Sequence, residues 1–156
     1  MKDIIKIMAL GGLDEAGRDC YVVEINEDIF VLDYGLLYAD KSIPGVDYLI
    51  PNVDYLIENK KKIKAYILTH GHDENMGGIK YLYKKAPAPI YTTFATKEIL
   101  IGQMKNLGLK YDKYDFRIIN PSSIEYIAGR KVVFFQTSHN AAYSFGVAIN
   151  TNQGNI

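Results

Sequence analysis

The segment Thr69-His70-Gly71-His72-Asp73-Glu74-Asn75-Met76-Gly77-Gly78 constrains this chain more than any other. It places two imidazoles, three acidic or amide side chains and flanking glycines in ten residues. Before it, Ile63 to Leu68 is apolar enough to be a buried strand, and after it Met76, Ile79, Leu82 and Tyr83 have the spacing of a helix running from about Met76 to Lys85. Strand, polar loop and helix is the layout of a catalytic loop in an α/β fold. Imidazoles at i and i+2 in a tight turn can aim at one point, and neutral imidazole is a favoured nitrogen ligand for zinc. The third histidine, His139, follows a strand predicted over Val132 to Gln136, so all three histidines fall at strand ends. An isolated HxH pair in an exposed loop is as readily a merely polar feature as a metal site. The third imidazole shifts the balance toward a ligand set that leaves one position for water, as a metal-dependent hydrolase needs.

The remaining punctuation predicts an α/β domain. Ile4 to Leu10 reads as a strand broken by Gly11-Gly12, and Cys20 to Ile25 and Ile29 to Leu32 form a pair joined across Asn26-Glu27-Asp28. From Asp33 to Pro51, Gly35, Pro44 and Gly45 interrupt any period, which predicts a long surface loop. Asn52 can cap a short helix reaching about Lys60, with Asp54 in its first turn and lysines in its last. Pro87 and Pro89 precede a short strand, Ile90 to Thr92. A helix from about Thr96 to Asn106 ends before Gly108, and strands follow over Phe116 to Ile119, Ile124 to Ile127, Val132 to Gln136 and Phe145 to Ile149.

At 156 residues and 48% hydrophobic, the chain suits one domain with its own core. Lys+Arg and Asp+Glu number 18 each, which excludes binding of nucleic acid by bulk basicity and makes any RNA contact local. The single cysteine, Cys20, cannot form an internal disulfide and suits a reducing cytoplasm. Asp3 follows Lys2 at once and the apolar run before Gly11 is brief, so neither a signal peptide nor a membrane span is expected. Gly11, Gly12 and Gly17 precede a strand rather than a helix, so they read as a backbone turn near the site rather than a phosphate loop. Lys60, Lys61, Lys62 and Lys64 can touch RNA phosphates, but such clusters more often form a solvated face. Tyr81, Tyr83, Tyr111 and Tyr114 can stack bases or line the edge of a core.

Beyond this reading, the sequence resembles the metallo-β-lactamase superfamily and, more closely, bacterial ribonuclease J. Gly11-Gly12-Leu13-Asp14-Glu15-Ala16-Gly17 is similar to the family's GGLGEIG opening, and Phe30-Val31-Leu32-Asp33-Tyr34-Gly35-Leu36 to its FVLDAGL strand end. Ile50-Pro51, Tyr55-Leu56-Ile57, Lys64, Leu68-Thr69-His70-Gly71-His72, Gly77-Gly78 and His139 with Gly146-Val147 continue the likeness.

The resemblance implies the N-terminal portion of an αββα sandwich over residues 1–156, with a mixed, largely antiparallel sheet and helices on one face. The β-CASP and C-terminal domains would lie outside it. It also implies a cytoplasmic, zinc-dependent RNA phosphodiesterase with 5′ to 3′ exonuclease and endonuclease activity, acting in RNA decay and ribosomal RNA maturation. In the full-length protein the partners implied are RNA and an oligomer with itself or with a ribonuclease J paralogue, without a membrane. His70, His72 and His139 would be ligands of a first metal, and Asp33 a near-site orienting residue.

The family pattern HxHxDH stands here as His70-Gly71-His72-Asp73-Glu74-Asn75. Glu74, one methylene longer than the family's aspartate, can still ligate or act as a base, whereas Asn75 offers an amide oxygen, a poor zinc ligand, where the family has an imidazole. Asn140-Ala141-Ala142-Tyr143-Ser144 replaces a SIPDS-like segment, and the family's TGDF-like segment, whose aspartate bridges two metals, would follow Ile156. The expectations are therefore an active enzyme holding one or two zinc ions in the full-length protein or, as the alternative, a catalytically impaired paralogue that serves as a structural or RNA-binding partner.

Overall fold

A computed structural model describes residues 2–156. The chain opens with three antiparallel strands, β1 (Ile5–Gly11), β2 (Cys20–Ile25) and β3 (Asp28–Leu32). The β2/β3 turn is made by Asn26 in the left-handed region, a conformation asparagine tolerates better than most side chains. The stretch predicted as loop contains a two-residue hairpin, β4 (Leu37–Tyr38) with β5 (Tyr48–Leu49). Helix α1 (Asp54–Glu58) is shorter than expected. Asn52 lies one residue ahead of its cap position and accepts from the Asp54 amide, while the lysines fall beyond its last turn.

Strand β6 (Ile63–Ile67) leads into the histidine loop. The helix predicted from Met76 to Lys85 is two single turns, α2 (Asp73–Met76) and α3 (Ile79–Leu82), separated by Gly77-Gly78. At the break the Gly78 amide donates to the Tyr34 carbonyl at 2.9 Å while the Glu74 carbonyl accepts from Asp19, and position 78 must be glycine because a Cβ there would lie 2.2 Å from the Gly35 carbonyl oxygen. The chain continues through β7 (Ile90–Thr92), α4 (Phe94–Asn106) and β8 (Phe116–Ile118). Thr93 caps α4, its hydroxyl accepting from the Thr96 amide, and Gly108 leaves the helix at φ +64. Strands β9 (Ile124–Ile127), β10 (Arg130–Gln136), β11 (Phe145–Thr151) and β12 (Gly154–Asn155) follow.

Besides the β4/β5 hairpin, two larger sheets result, a six-stranded one ordered β1-β2-β3-β6-β7-β8 and a four-stranded one ordered β12-β11-β10-β9. The second is antiparallel throughout, whereas the first is antiparallel from β1 to β3 and parallel from β3 to β8. Strand alternation divides the core in two. Val23, Ile25, Phe30, Ala65 and Ile67 face the second sheet and pack on Ile127, Val132, Phe134, Phe145 and Ile149. Val22, Val31, Tyr66, Leu68 and Ile90 face the helices and meet Leu56, Met76, Ile79, Leu82, Leu100 and Met104. Each fully buried aliphatic or aromatic side chain contributes roughly 1.5–3 kcal/mol by leaving water. Cys20 lies buried in the helix-side core, and burial raises its thiol far above the ordinary range.

Because β3 and β6 are parallel neighbours, their C-terminal ends share one edge. That register brings Asp33, which follows β3, beside Thr69 to His72, which follow β6.

Candidate metal centre

Three loops are stitched together at this edge by main-chain hydrogen bonds. The Tyr34 amide donates to the Asn75 carbonyl at 2.8 Å, Leu36 to Asp73 at 2.9 Å, Gly35 to Asp19 at 3.0 Å, and Asp19 to Glu74 at 2.9 Å. The 33–36 segment therefore lies against α2, close enough that a Cβ on Gly35 would meet the Glu74 carbonyl oxygen at 1.5 Å. Gly12 and Gly17, both at positive φ, turn the opening loop back toward the site, as a backbone role for these glycines requires. The hairpin between β10 and β11 is closed by Thr137 and Ser144, whose hydroxyls hydrogen-bond each other at 3.0 Å, and Phe145 donates to the Thr69 carbonyl. That contact carries His139 to the same edge.

The three imidazoles converge. Ring centroids are 4.7 Å apart for His70 and His72, 4.6 Å for His70 and His139, and 4.9 Å for His72 and His139, with planes at 67° to 83°. One nitrogen from each lies within 4.8 Å of the others, and among the described residues this is the one such set of potential metal ligands. The donor chemistry and spacing fit a single ion held by three imidazoles.

The orientation of His70 is fixed from behind. Asp33 Oδ1 accepts from the Thr69 amide at 2.8 Å, and Asp33 Oδ2 from the Thr69 hydroxyl at 3.0 Å. With its proton given to Asp33, the Thr69 oxygen is left to accept from His70 Nδ1, 2.9 Å away. That assignment puts the ring proton on Nδ1 and leaves the Nε2 lone pair for a metal. Burial and the neighbouring His72 and His139 push His70 down to about 4, so its ring is neutral near pH 7. Asp33 is buried, which pushes its carboxyl up to about 6 despite these hydrogen bonds.

The second half of the motif is built differently. Asn75 Nδ2 donates to Asp33 Oδ2 at 2.8 Å and to Asp19 Oδ2 at 3.2 Å, so its amide protons tie two carboxylates together. Burial, then the nearby Glu74, raises the Asp19 carboxyl. Glu74 is exposed in the open cleft lined by the histidines, Asp19, Asn75 and Glu15, and its carboxylate accepts no hydrogen bond from another described residue. Asp73 turns away, accepting from Tyr38 and from Gln103 Nε2.

Sequence reasoning missed Asp19 and the part played by Thr69. Asp19 belongs to no local pattern, and although Thr69 stands in the histidine motif, only the meeting of the loops gives its hydroxyl Asp33 as a partner. Of the tyrosines considered for base stacking, Tyr83 and Tyr114 stack on each other at 4.0 Å within the core. In the lysine cluster, Lys62 pairs with Glu27 and Lys64 with Asp28. Among the described residues no helix is long and apolar enough to cross a membrane.

No family model matches the chain. Over 152 residues it is 43% identical to ribonuclease J2 of Bacillus subtilis, covering 97% of this chain and 27% of that protein. It is 36% identical to ribonuclease J 2 of Staphylococcus saprophyticus over the same length and shares. The chain thus spans about a quarter of the length of the curated relatives it matches. Among solved structures, the metallo-β-lactamase fold protein YhfI of Bacillus subtilis superposes with a TM-score of 0.60 at 16% identity, covering 96% of this chain and 58% of that one. A B3 metallo-β-lactamase described as having an active-site glutamic acid gives 0.59 at 15% identity, covering 96% and 56%. Over nearly its whole length the chain is thus similar in sequence to one segment of the ribonuclease J2 proteins, and it has the metallo-β-lactamase fold.

Proposed function

We propose that this chain carries the metal centre of a ribonuclease that hydrolyses RNA phosphodiester bonds. The observation that carries the reading is the convergence of His70, His72 and His139, with His70 oriented through Thr69 by Asp33. Zinc suits three neutral imidazoles. When bound, the ion supplies a Lewis acid for the phosphate oxygens and acidifies water near neutral pH. The protein's own part is to hold the rings, to keep the proton of His70 on Nδ1, and to offer Glu74, unpaired among the described residues, as a carboxylate that can take a proton in the cleft. A glutamate is compatible with an active site on this fold, as the B3 enzyme's description indicates.

RNA as substrate, attack from the 5′ end, a cytoplasmic location and assembly with itself or a paralogue belong to the same proposal and concern the full-length protein, with its β-CASP and C-terminal domains. Asn75 supports a reading with a single strong metal site, because its amide protons already serve Asp33 and Asp19. A non-catalytic partner role draws on the same residue, but the intact three-histidine set favours the enzyme.

The test is metal analysis of the full-length protein beside degradation of a 5′-monophosphorylated RNA. We expect about one equivalent of zinc and turnover that His72→Ala abolishes. Retained RNA binding with neither metal nor turnover would overturn the catalytic reading in favour of the partner role.

A further inference from the structure

Beside the metal loop stands an aromatic cluster that the hydrolytic chemistry does not use. Tyr38 and Tyr48 are directly paired across the β4/β5 hairpin and so share one face. Tyr48 stacks on Tyr81 with ring centroids 5.0 Å apart and planes at 21°. Tyr38 is 65% exposed, an unusual state for a large ring whose position is so firmly held.

What holds it is a relay through three elements. The Tyr38 hydroxyl donates to Asp73 Oδ2, Gln103 Nε2 donates to Asp73 Oδ1 at 2.6 Å, and Lys80 Nζ donates to Gln103 Oε1 at 2.8 Å. Lys80 is buried, with its ammonium 5.5 Å from the centre of the Tyr81 ring. Burying a lysine is costly unless its charge is satisfied, and here a buried cation and an amide are committed to fixing one surface carboxylate. That carboxylate belongs to the residue between His72 and Glu74, and Leu37, next to Tyr38, lies against Gly17, which lines the metal cleft, so the ring it anchors stands beside the cleft without lining it.

We propose that Tyr38, backed by Tyr48 and Tyr81, is a stacking platform for a base of single-stranded RNA whose phosphate lies at the three-histidine centre. A pre-oriented aromatic face binds a planar group without first losing side-chain freedom. With Asp73 and Glu74 adjacent, the platform suits the uncharged face of a base and repels a phosphate. The inference rests on the ribonuclease reading and adds a binding element outside the metal ligands.

The experiment uses the full-length protein and 5′-monophosphorylated RNA oligonucleotides, one intact and a series each carrying a single abasic nucleotide near the 5′ end. Tyr38→Ala should raise KM for intact RNA about five- to a hundredfold, with bound metal unchanged and kcat less affected. One abasic position should weaken the parent by a similar factor and erase the difference between parent and variant. Tyr38→Phe, which keeps the ring and loses the Asp73 bond, should retain most of the affinity, while Gln103→Met, which loosens the anchor, should fall between. An unchanged KM in Tyr38→Ala, or a loss of equal size with every abasic RNA, would overturn the platform. If the parent degrades RNA and Tyr38 is indifferent, only this inference falls; if the parent does not act on RNA, the ribonuclease reading falls and takes the platform with it.

Discussion

The two halves of the metal cleft are made by adjacent residues of one loop, yet they differ in what their polar atoms are free to do. In the imidazole half, Thr69 takes the back of His70 and the nitrogens of three rings face one another. In the carboxylate half, Asp33 accepts from Thr69 and Asn75, and Asn75 reaches on to Asp19. One half presents lone pairs to a cation, and the other ties Asp33 and Asp19 to protein donors and leaves Glu74 facing the cleft. A loop can therefore keep a family's overall geometry while an amide takes over the bonding of one side. The contrast depends on backbone contact beneath both halves, and that contact is the first place to break it.

Gly35→Ala should have the largest effect. The added methyl would have to displace the Glu74 carbonyl, a main-chain atom, from 1.5 Å, so α2 and the 33–36 segment would separate. We expect a loss of about 3 kcal/mol or more, measured by urea denaturation, with metal binding weakened as well. A wild-type midpoint for Gly35→Ala would show that the two loops are not in hard contact.

Thr69→Val attacks the link between the halves and leaves both in place. It removes the hydroxyl that serves Asp33 and His70 together. Metal affinity should fall about 10- to 100-fold, as for other partners that orient a ligand from behind. Competition with a chelator measures it, and an unchanged affinity would mean that His70 needs no orienting partner.

How much of this could be read from the chain follows from the range of the interactions. The β2/β3 hairpin, β6 and α4 announce themselves through apolar runs, the Asn26-Glu27-Asp28 turn and the Gly108 boundary, all properties of nearby residues, although α4 begins at Phe94, two residues before the expected start. The three histidines were also visible, because each follows a recognisable strand. The split of α2 from α3 was not, since the Gly78 amide and the Glu74 carbonyl bond to Tyr34 and Asp19, more than forty positions away. The stretch from Asp33 to Pro51 lacks any period, yet it supplies buried Tyr34 and Leu36 and the hairpin that carries Tyr38. Asp19 joins the site only through hydrogen bonds to Gly35, Glu74 and Asn75, none of them local.

Asn75→His converts the closed half toward the open one. The imidazole cannot reproduce two amide protons on one nitrogen, so Asp33 and Asp19 lose a shared donor. In the metal-free protein this should cost about 1–3 kcal/mol. Combined with Glu74→Asp it should raise the zinc content above that of the parent, read by elemental analysis. A parent that already binds two equivalents would remove the distinction between the halves.

The smallest effect concerns a carboxylate far from the cleft, which shows what full pairing does to the same chemical group. Asp3 receives both terminal nitrogens of Arg130 at 3.0 and 3.1 Å, the Asn152 amide at 3.0 Å and Asn26 Nδ2 at 2.8 Å. Arg130 above all holds its carboxyl well below the ordinary value of 3.8. A carboxyl lowered on folding stabilises the native state fully above its unfolded value and loses that contribution as the pH falls through the folded one. Buried Asp33 has the opposite sign: its carboxyl is raised to about 6, so its ionisation costs stability as the pH rises from 3.8 to 6. Asp3→Asn should therefore be slightly less stable than the parent at neutral pH, and the gap between the two melting curves should close as the pH drops below 3.8. A gap that persisted unchanged into acid would mean that Asp3 contributes through the shape of its contacts with Arg130 and Asn152 rather than through its charge.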